Sequence, residues 1–191
     1  MILNRPSLLR GVLLVLVLVV ASAAFFSASC SSVVRGVANV VGQPFPSVEA
    51  KALDGKVVRV PQDFADRVVV AILATDQDAQ FDVDRWLLGL LDKGTPATIR
   101  ELPTVAGFIP GLISGTIDNG MRKGIPSEDW GAVLTLYGSD AKKLVAHFGN
   151  ENGRNGRVVL IDRQGIVRWT HDRGYSARVL LELDAAVRSL L

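Results

Sequence analysis

Residues 68–74, read as Val-Val-Val-Ala-Ile-Leu-Ala, are seven consecutive apolar residues, and they constrain this chain more than any other feature. The run is bounded by Arg67 and by Thr75-Asp76. It is too short for a buried helix and too uniformly apolar for a strand with one wet face. It fits a central strand covered on both sides, which requires a packed layer above and below a sheet. The chain is therefore predicted to be an α/β protein.

The flanking pattern fills in that architecture. Asp54-Gly55 is a hairpin turn between strands at 48–53 and 56–60, and residues 61–64 form a short helical turn. Trp86, Leu87, Leu90 and Leu91 recur at helical spacing, which predicts a helix over 79–93. Strands follow at 98–104 and 132–137. Ser139 is expected to cap a short helix through His147. Residues 157–162 form another buried strand, Arg163-Gln164-Gly165 turns it, and 166–169 returns antiparallel. Ser176 caps a last amphipathic helix with Val179, Leu183, Val187 and Leu190 on one face. Strand–helix alternation implies parallel pairing with right-handed crossovers, and the closing hairpin adds an antiparallel edge. The fold expected is a thioredoxin-like mixed sheet flanked by helices.

Ahead of this domain lies an N-terminal apolar signal or anchor segment. Arg5 and Arg10 precede residues 11–26, which are uncharged and rich in Leu and Val. Such a stretch reads as an export signal or an uncleaved membrane anchor. Small residues then lead to Cys30, the only cysteine of the chain. Lipid attachment at Cys30, retention of the whole segment as a helix, and simple cleavage near Ala21-Ser22-Ala23 are the three outcomes. The expected organisation is a signal peptide or anchor over 1–29, a tether over 30–41 and one domain over 42–191. The formal charge of +2 is carried by Arg5 and Arg10, so the remainder is neutral. A neutral domain has no electrostatic footprint for nucleic acid. The partners expected are a membrane, through the N-terminus, and a protein of unknown identity; no cofactor is expected.

Two stretches resemble the redoxin domains of the peroxiredoxin and thiol-disulfide reductase group. They are GQPFPSVEAKALDGKVVRVPQDFADRVVVAILA at the front and RVVLIDRQGIVRW near the end. Cys30 itself resembles a lipobox cysteine of bacterial lipoproteins, with Ser27 where that motif usually has Leu. Among cysteine-poor branches, the chain is similar to the mitochondrial ATP synthase assembly factor of redoxin fold, which shares an Asp-x-x-Gly-x-x-x-Trp pattern (Asp162, Gly165, Trp169). It is also similar to a bacterial periplasmic thioredoxin-fold family. The resemblance implies an envelope protein built on a redox scaffold. In active members, a nucleophilic cysteine lies near the first turn of the helix after the central strand. Residues 74–84 here contain no cysteine. Many redoxins also carry a proline, usually cis, just before the next buried strand, where this chain has Asn155-Gly156. Thiol chemistry within the domain is therefore not expected. The leading expectation is a non-catalytic interaction or assembly module. The alternatives are an accessory that uses a partner's thiol, and a small-ligand or metal-binding domain.

Several groups could carry another role. Asp76, Asp78, Asp82 and Asp84 begin like a cation loop but lack its glycine and bidentate Glu, and acids are favoured at a helix N-terminus in any case. Gly107, Gly111 and Gly115 recur every four residues beside Ile109, Ile113 and Ile117. On one helix they would form a smooth stripe and an apolar ridge, either covering the sheet or docking a partner, with Arg122 and Lys123 placed at a lipid surface. His147 and His171 are the only histidines, with no third ligand at metal spacing.

Overall fold

The apolar run forms β3 (Val69–Ala74), an interior strand, fifth of seven in a mixed sheet. A computed structural model describes residues 39–107, 111–149 and 151–191, with the backbone alone at 111–113. The leader, Cys30 and Ile109 lie outside the described residues. The remaining strands are β1 (Val48–Ala52), β2 (Val57–Val60), β4 (Thr98–Val105), β5 (Leu134–Tyr137), β6 (Arg157–Ile161) and β7 (Val167–His171). The helices are α1 (Gln80–Lys93), α2 (Gly111–Gly124), α3 (Gly138–Phe148) and α4 (Ala177–Arg188). The sheet order is β2-β1-β5-β4-β3-β6-β7. β3, β4 and β5 pair in parallel, while β1, β2, β6 and β7 join antiparallel.

Both faces of β3 are buried, and the period of two divides its side chains between two cores. Val69, Ala71 and Leu73 pack with Leu102, Leu136 and Val159 under Leu144 and Phe148 of α3. Val70 and Ile72 pack with Val158 and Leu160 under Val83, Trp86 and Leu90 of α1 and Leu183 and Val187 of α4. Val40, inside the stretch read as tether, is already buried in the first core, and Gly42 N–H donates to Val167 O (2.8 Å).

Local signals account for most element ends. Ser176 Oγ accepts from Val179 N–H at 3.3 Å, as expected of a cap. Gly94 closes α1 in the left-handed region (φ 60°) and its N–H donates to Leu90 O and Leu91 O. The expected cap at Ser139 is not made. β5 runs straight into α3, which begins at Gly138 with no side-chain cap. Gly138 has φ 58°, a conformation glycine takes without steric cost, and this turn places Ser139 already inside the helix.

Candidate functional site

In a sheet of this topology the place for chemistry is the carboxyl end of the central strand, where α1 begins. Here Thr75 and Asp76 leave β3. The Asp76 carboxylate accepts from Asp78 N–H (3.0 Å) and caps a 3-10 turn, Gln77–Ala79, that feeds α1. Asp82 sits in the first turn of α1, where the resemblance places a nucleophilic cysteine.

Asp82 is 4% exposed, and both of its oxygens are used. Oδ2 accepts from Gly156 N–H at 3.0 Å, and Oδ1 accepts from Tyr175 N–H at 2.8 Å. A carboxylate taken out of water must be hydrogen-bonded, and two backbone N–H groups at the amino end of a helix supply that. The consequence is mechanical. One side chain ties α1 to the loop before β6 and to the loop before α4.

Gly156 is the residue that stands where many redoxins have proline. A proline has no N–H and could not donate to Asp82. Gly156 and the cysteine-free segment 74–84 thus meet in one arrangement: the Asp82 carboxylate on the helix and an N–H facing it. The site is also close-packed. A Cβ on Gly156 would lie 3.1 Å from a methyl of Ile72 and 3.2 Å from one of Val83. Gly156→Ala keeps the N–H and crowds those methyls, and overpacking of this kind costs about 1–3 kcal/mol. Chemical denaturation of the variant should show a loss within that range, and an unchanged midpoint would refute the close fit.

The surrounding loops are cross-braced. Asn155 Nδ2 donates to Asp172 O (3.0 Å). The buried Arg157 guanidinium donates to Asp172 Oδ2 at 2.9 Å, with Glu151 at 3.6 Å. Behind them Trp86 is fully buried, edge-on to Tyr175 (centroids 5.3 Å) and to Trp169 (6.5 Å). His171 stacks on Trp169, and its Nε2 is 2.9 Å from Gly174 O. The cavity between Thr75, Thr104, Asn155, Arg157 and Asp172 is about 10 Å³, room for about one water. A small-molecule substrate does not fit there.

The other sequence candidates are dispersed. Asp84 faces outward and accepts from Gln80 Nε2 (2.8 Å), while Asp78 is exposed with Arg154 at 3.9 Å. Asp76, Asp78, Asp82 and Asp84 therefore do not converge, because the first caps, the third points inward and the other two face solvent. Among the described residues no group of three or more His, Cys, Asp or Glu could hold a metal. His147 lies on α3, remote in the chain from His171. Burial pushes its imidazole pKa down, and its Nε2 is buried without a partner. Gly107 is exposed at a bend before α2, so the repeat it opens is not one continuous helical stripe with Gly111, Ile113, Gly115 and Ile117. Gly115 and Ile117 are half-buried on α2, and a Cβ on Gly115 would meet nothing within 4 Å. No close helix approach is built on that glycine. Arg122, expected at a lipid surface, is turned inward. Its Nε donates to Leu53 O (2.7 Å), and its guanidinium lies 5.7 Å from the Trp130 ring centroid.

Two further features escape sequence reading. Tyr137 O–H donates to the buried Asp118 carboxylate (2.8 Å), and burial with that bond raises the tyrosine pKa. Glu101, on β4, is 7% exposed, and its side chain makes no hydrogen bond or ion pair among the described residues. Desolvation, with the nearby Asp84 charge, pushes its carboxyl up to about 7. The one advance signal is a pair of charges, Arg100 and Glu101, set between Ile99 and Leu102 in a strand.

No protein-family model matches the chain, and no curated protein sequence matches it. Solved structures do. A SCO1/SenC family lipoprotein from Bacillus anthracis superposes with a TM-score of 0.54 at 13% identity, over 81% of this chain and 99% of that one. A thiol:disulfide interchange protein from a Bacteroides species gives 0.55 at 14% identity, over 78% and 90%. The exposed lipoprotein thioredoxin of Streptococcus pneumoniae gives 0.51 at 16% identity, over 73% and 98%. With these alignments spanning nearly the whole of each neighbour, the described part of the chain is a thioredoxin-like, redoxin-type α/β fold.

Proposed function

We propose that this protein is a non-catalytic thioredoxin-like module, held at the bacterial cell envelope by its N-terminus and acting through contact with another protein. One observation carries the reading. The segment that would bear the nucleophile, residues 74–84, holds no cysteine, and Asp82 within it has both oxygens committed to the backbone of neighbouring loops. A carboxylate so held neither exchanges with disulfides nor is free to act as a base.

The organisation that goes with this reading is a signal or anchor over 1–29 and a tether that ends before Val40, which is buried in the domain core. Two of the structural neighbours are lipoproteins, which supports lipid attachment at Cys30. A photoreactive residue introduced at exposed positions of the full chain in its membrane should give a discrete protein adduct from one face. Palmitate labelling should be lost in Cys30→Ala. Adducts scattered evenly over all faces, or none, would overturn the interaction reading.

A further inference from the structure

A groove of about 730 Å³, open along one side, runs between α3 and the chain that leads into β1. Ligand sites commonly span about 300–1,000 Å³, whereas the cavity beside Arg157 has room for about one water. The two share no lining residue. One side of the groove is Pro44, Phe45 and Pro46, with Pro61 and Gly165 beside them. Phe45 N–H donates to Gly165 O (2.8 Å), and Pro44 bridges Ile166 in antiparallel register. Gln62 Nε2 donates to Ser47 Oγ (2.9 Å), so this wall is fixed without a ligand.

The ionisable groups of the groove are basic. Lys143 and His147 line its other side, four residues apart on α3 and therefore neighbours on one helix face. The Lys143 ammonium has three donors. One goes to Ser47 O (2.5 Å), and the group makes no ion pair among the described residues. His147 makes no hydrogen bond among the described residues. No described carboxylate lines the groove. Acids near its walls in sequence are engaged elsewhere: Asp63 with Arg59, Asp162 with Arg168, and Asp140 with Glu49 N–H. Glu49 itself alternates to the sheet face away from α3, since Val48 and Ala50 pack in the core under that helix.

The other polar tips are amides. Gln43 and Gln62 use their Nε2 groups on Asn39 O and Ser47 Oγ, which leaves their side-chain carbonyls as acceptors. Acceptors for N–H groups beside an uncompensated cation complement a peptide that carries a carboxylate. Pro44, Pro46 and Pro61 have no N–H, so this wall cannot pair with an added strand. A small ligand needs most of its surface enclosed, and the open side suits a segment lying along the groove.

We propose that the groove between α3 and residues 43–47 binds an extended segment of a protein partner, with an Asp or Glu of that segment on Lys143 and His147. The proposal rests on the interaction-module reading and gives it a location and a ligand chemistry.

The test uses the full chain in nanodiscs of neutral lipid and pools of synthetic peptides of about seven residues, with Pro at alternate positions to keep them extended. The pools differ only in Glu, Gln or Lys at the centre. By fluorescence anisotropy the Glu pool should bind at least about tenfold more tightly than the Lys pool, with Gln between them. Lys143→Glu should reverse that order. Ala146→Phe fills the groove from an exposed position on α3 and should remove binding by every pool. Leu88→Ser, on α1, should bind as the wild type does. Equal binding of the pools, a Glu preference that survives Lys143→Glu, or binding that survives Ala146→Phe overturns the proposal. So does N-acetylglutamate amide binding as tightly as the Glu pool, which would make the occupant a small anion. Self-association that Ala146→Phe abolishes overturns it as well. A photoreactive residue at Ala146, compared with one at Val57 on the edge strand β2, separates the two levels. Adducts at Val57 with none at Ala146 overturn the groove and leave the module reading standing. Adducts at neither position, with thiol turnover by the full chain, overturn both.

Discussion

Asp82→Ala should lower the stability of the domain by about 4 kcal/mol. The substitution removes no apolar packing of consequence. It strands two backbone donors, Gly156 N–H and Tyr175 N–H, which now meet a charged acceptor at 3.0 and 2.8 Å. Hydrogen bonds to charged groups contribute about 1.5–3 kcal/mol each, and a buried donor left unsatisfied costs a similar amount. Against a total stability of about 5–15 kcal/mol the domain should stay folded but weakened. With a urea slope of about 2 kcal/mol/M, the midpoint should fall by about 2 M. Asp82→Asn should be intermediate, since an amide offers one acceptor oxygen where two are used. Amide hydrogen exchange gives the local readout. Gly156 and Tyr175 should be protected in the wild type and exchange faster in both variants. A midpoint unchanged in Asp82→Ala would mean that this carboxylate braces nothing.

Glu101→Gln should stabilise the protein at pH 8 and do little at pH 4. The Glu101 carboxyl titrates at about 7 in the fold against an ordinary 4.5, because burial disfavours its charged form and Asp84 adds a like charge. Below pH 4.5 it is protonated in both folded and unfolded chains and carries no penalty. As pH rises from about 4.5 to about 7, the unfolded chain loses this proton first, and stability falls through that window. Above pH 7 the full cost stands. Each pH unit of displacement corresponds to about 1.4 kcal/mol, so the wild type should lose about 3 kcal/mol across the window from this group. The glutamine variant lacks that slope. Unfolding free energies of the two proteins should therefore converge in acid and separate toward pH 8. Parallel curves would show that Glu101 finds a counter-charge.

The parts of this fold that could be read from sequence are those whose periodicity leaves one solution. The uniform run at 68–74 had to be central, and it is β3, with both faces buried. The Asp54-Gly55 hairpin and the Ser176 cap follow from turn and capping chemistry that acts over a few residues. Ser139 misled because the left-handed Gly138 starts α3 one residue earlier, a backbone choice that no side-chain pattern announces. Asp82 was visible only as one of four acids near a helix start. A cap and a clamp use the same residue type at the same place, and they differ in whether distant backbone arrives to meet the carboxylate. Gly156 and Tyr175 lie 74 and 93 residues further along the chain. Only the fold shows that Asp82 and Gly156 meet. The exposed apolar side chains Phe81, Leu88 and Leu91 of α1 were obscured for a different reason. Leu91 was counted with Trp86, Leu87 and Leu90 as core, since their spacing alone does not tell which apolar residues face inward.

A redoxin-type scaffold whose Asp82 is a structural brace should carry out no thiol chemistry. Thiol-peroxidase and disulfide-reductase turnover by the purified full chain, compared with Cys30→Ser, tests it most directly. No turnover above the uncatalysed rate is expected from either protein, since Cys30 is the only thiol in the chain and precedes the domain. Sustained turnover that survives Cys30→Ser would contradict it.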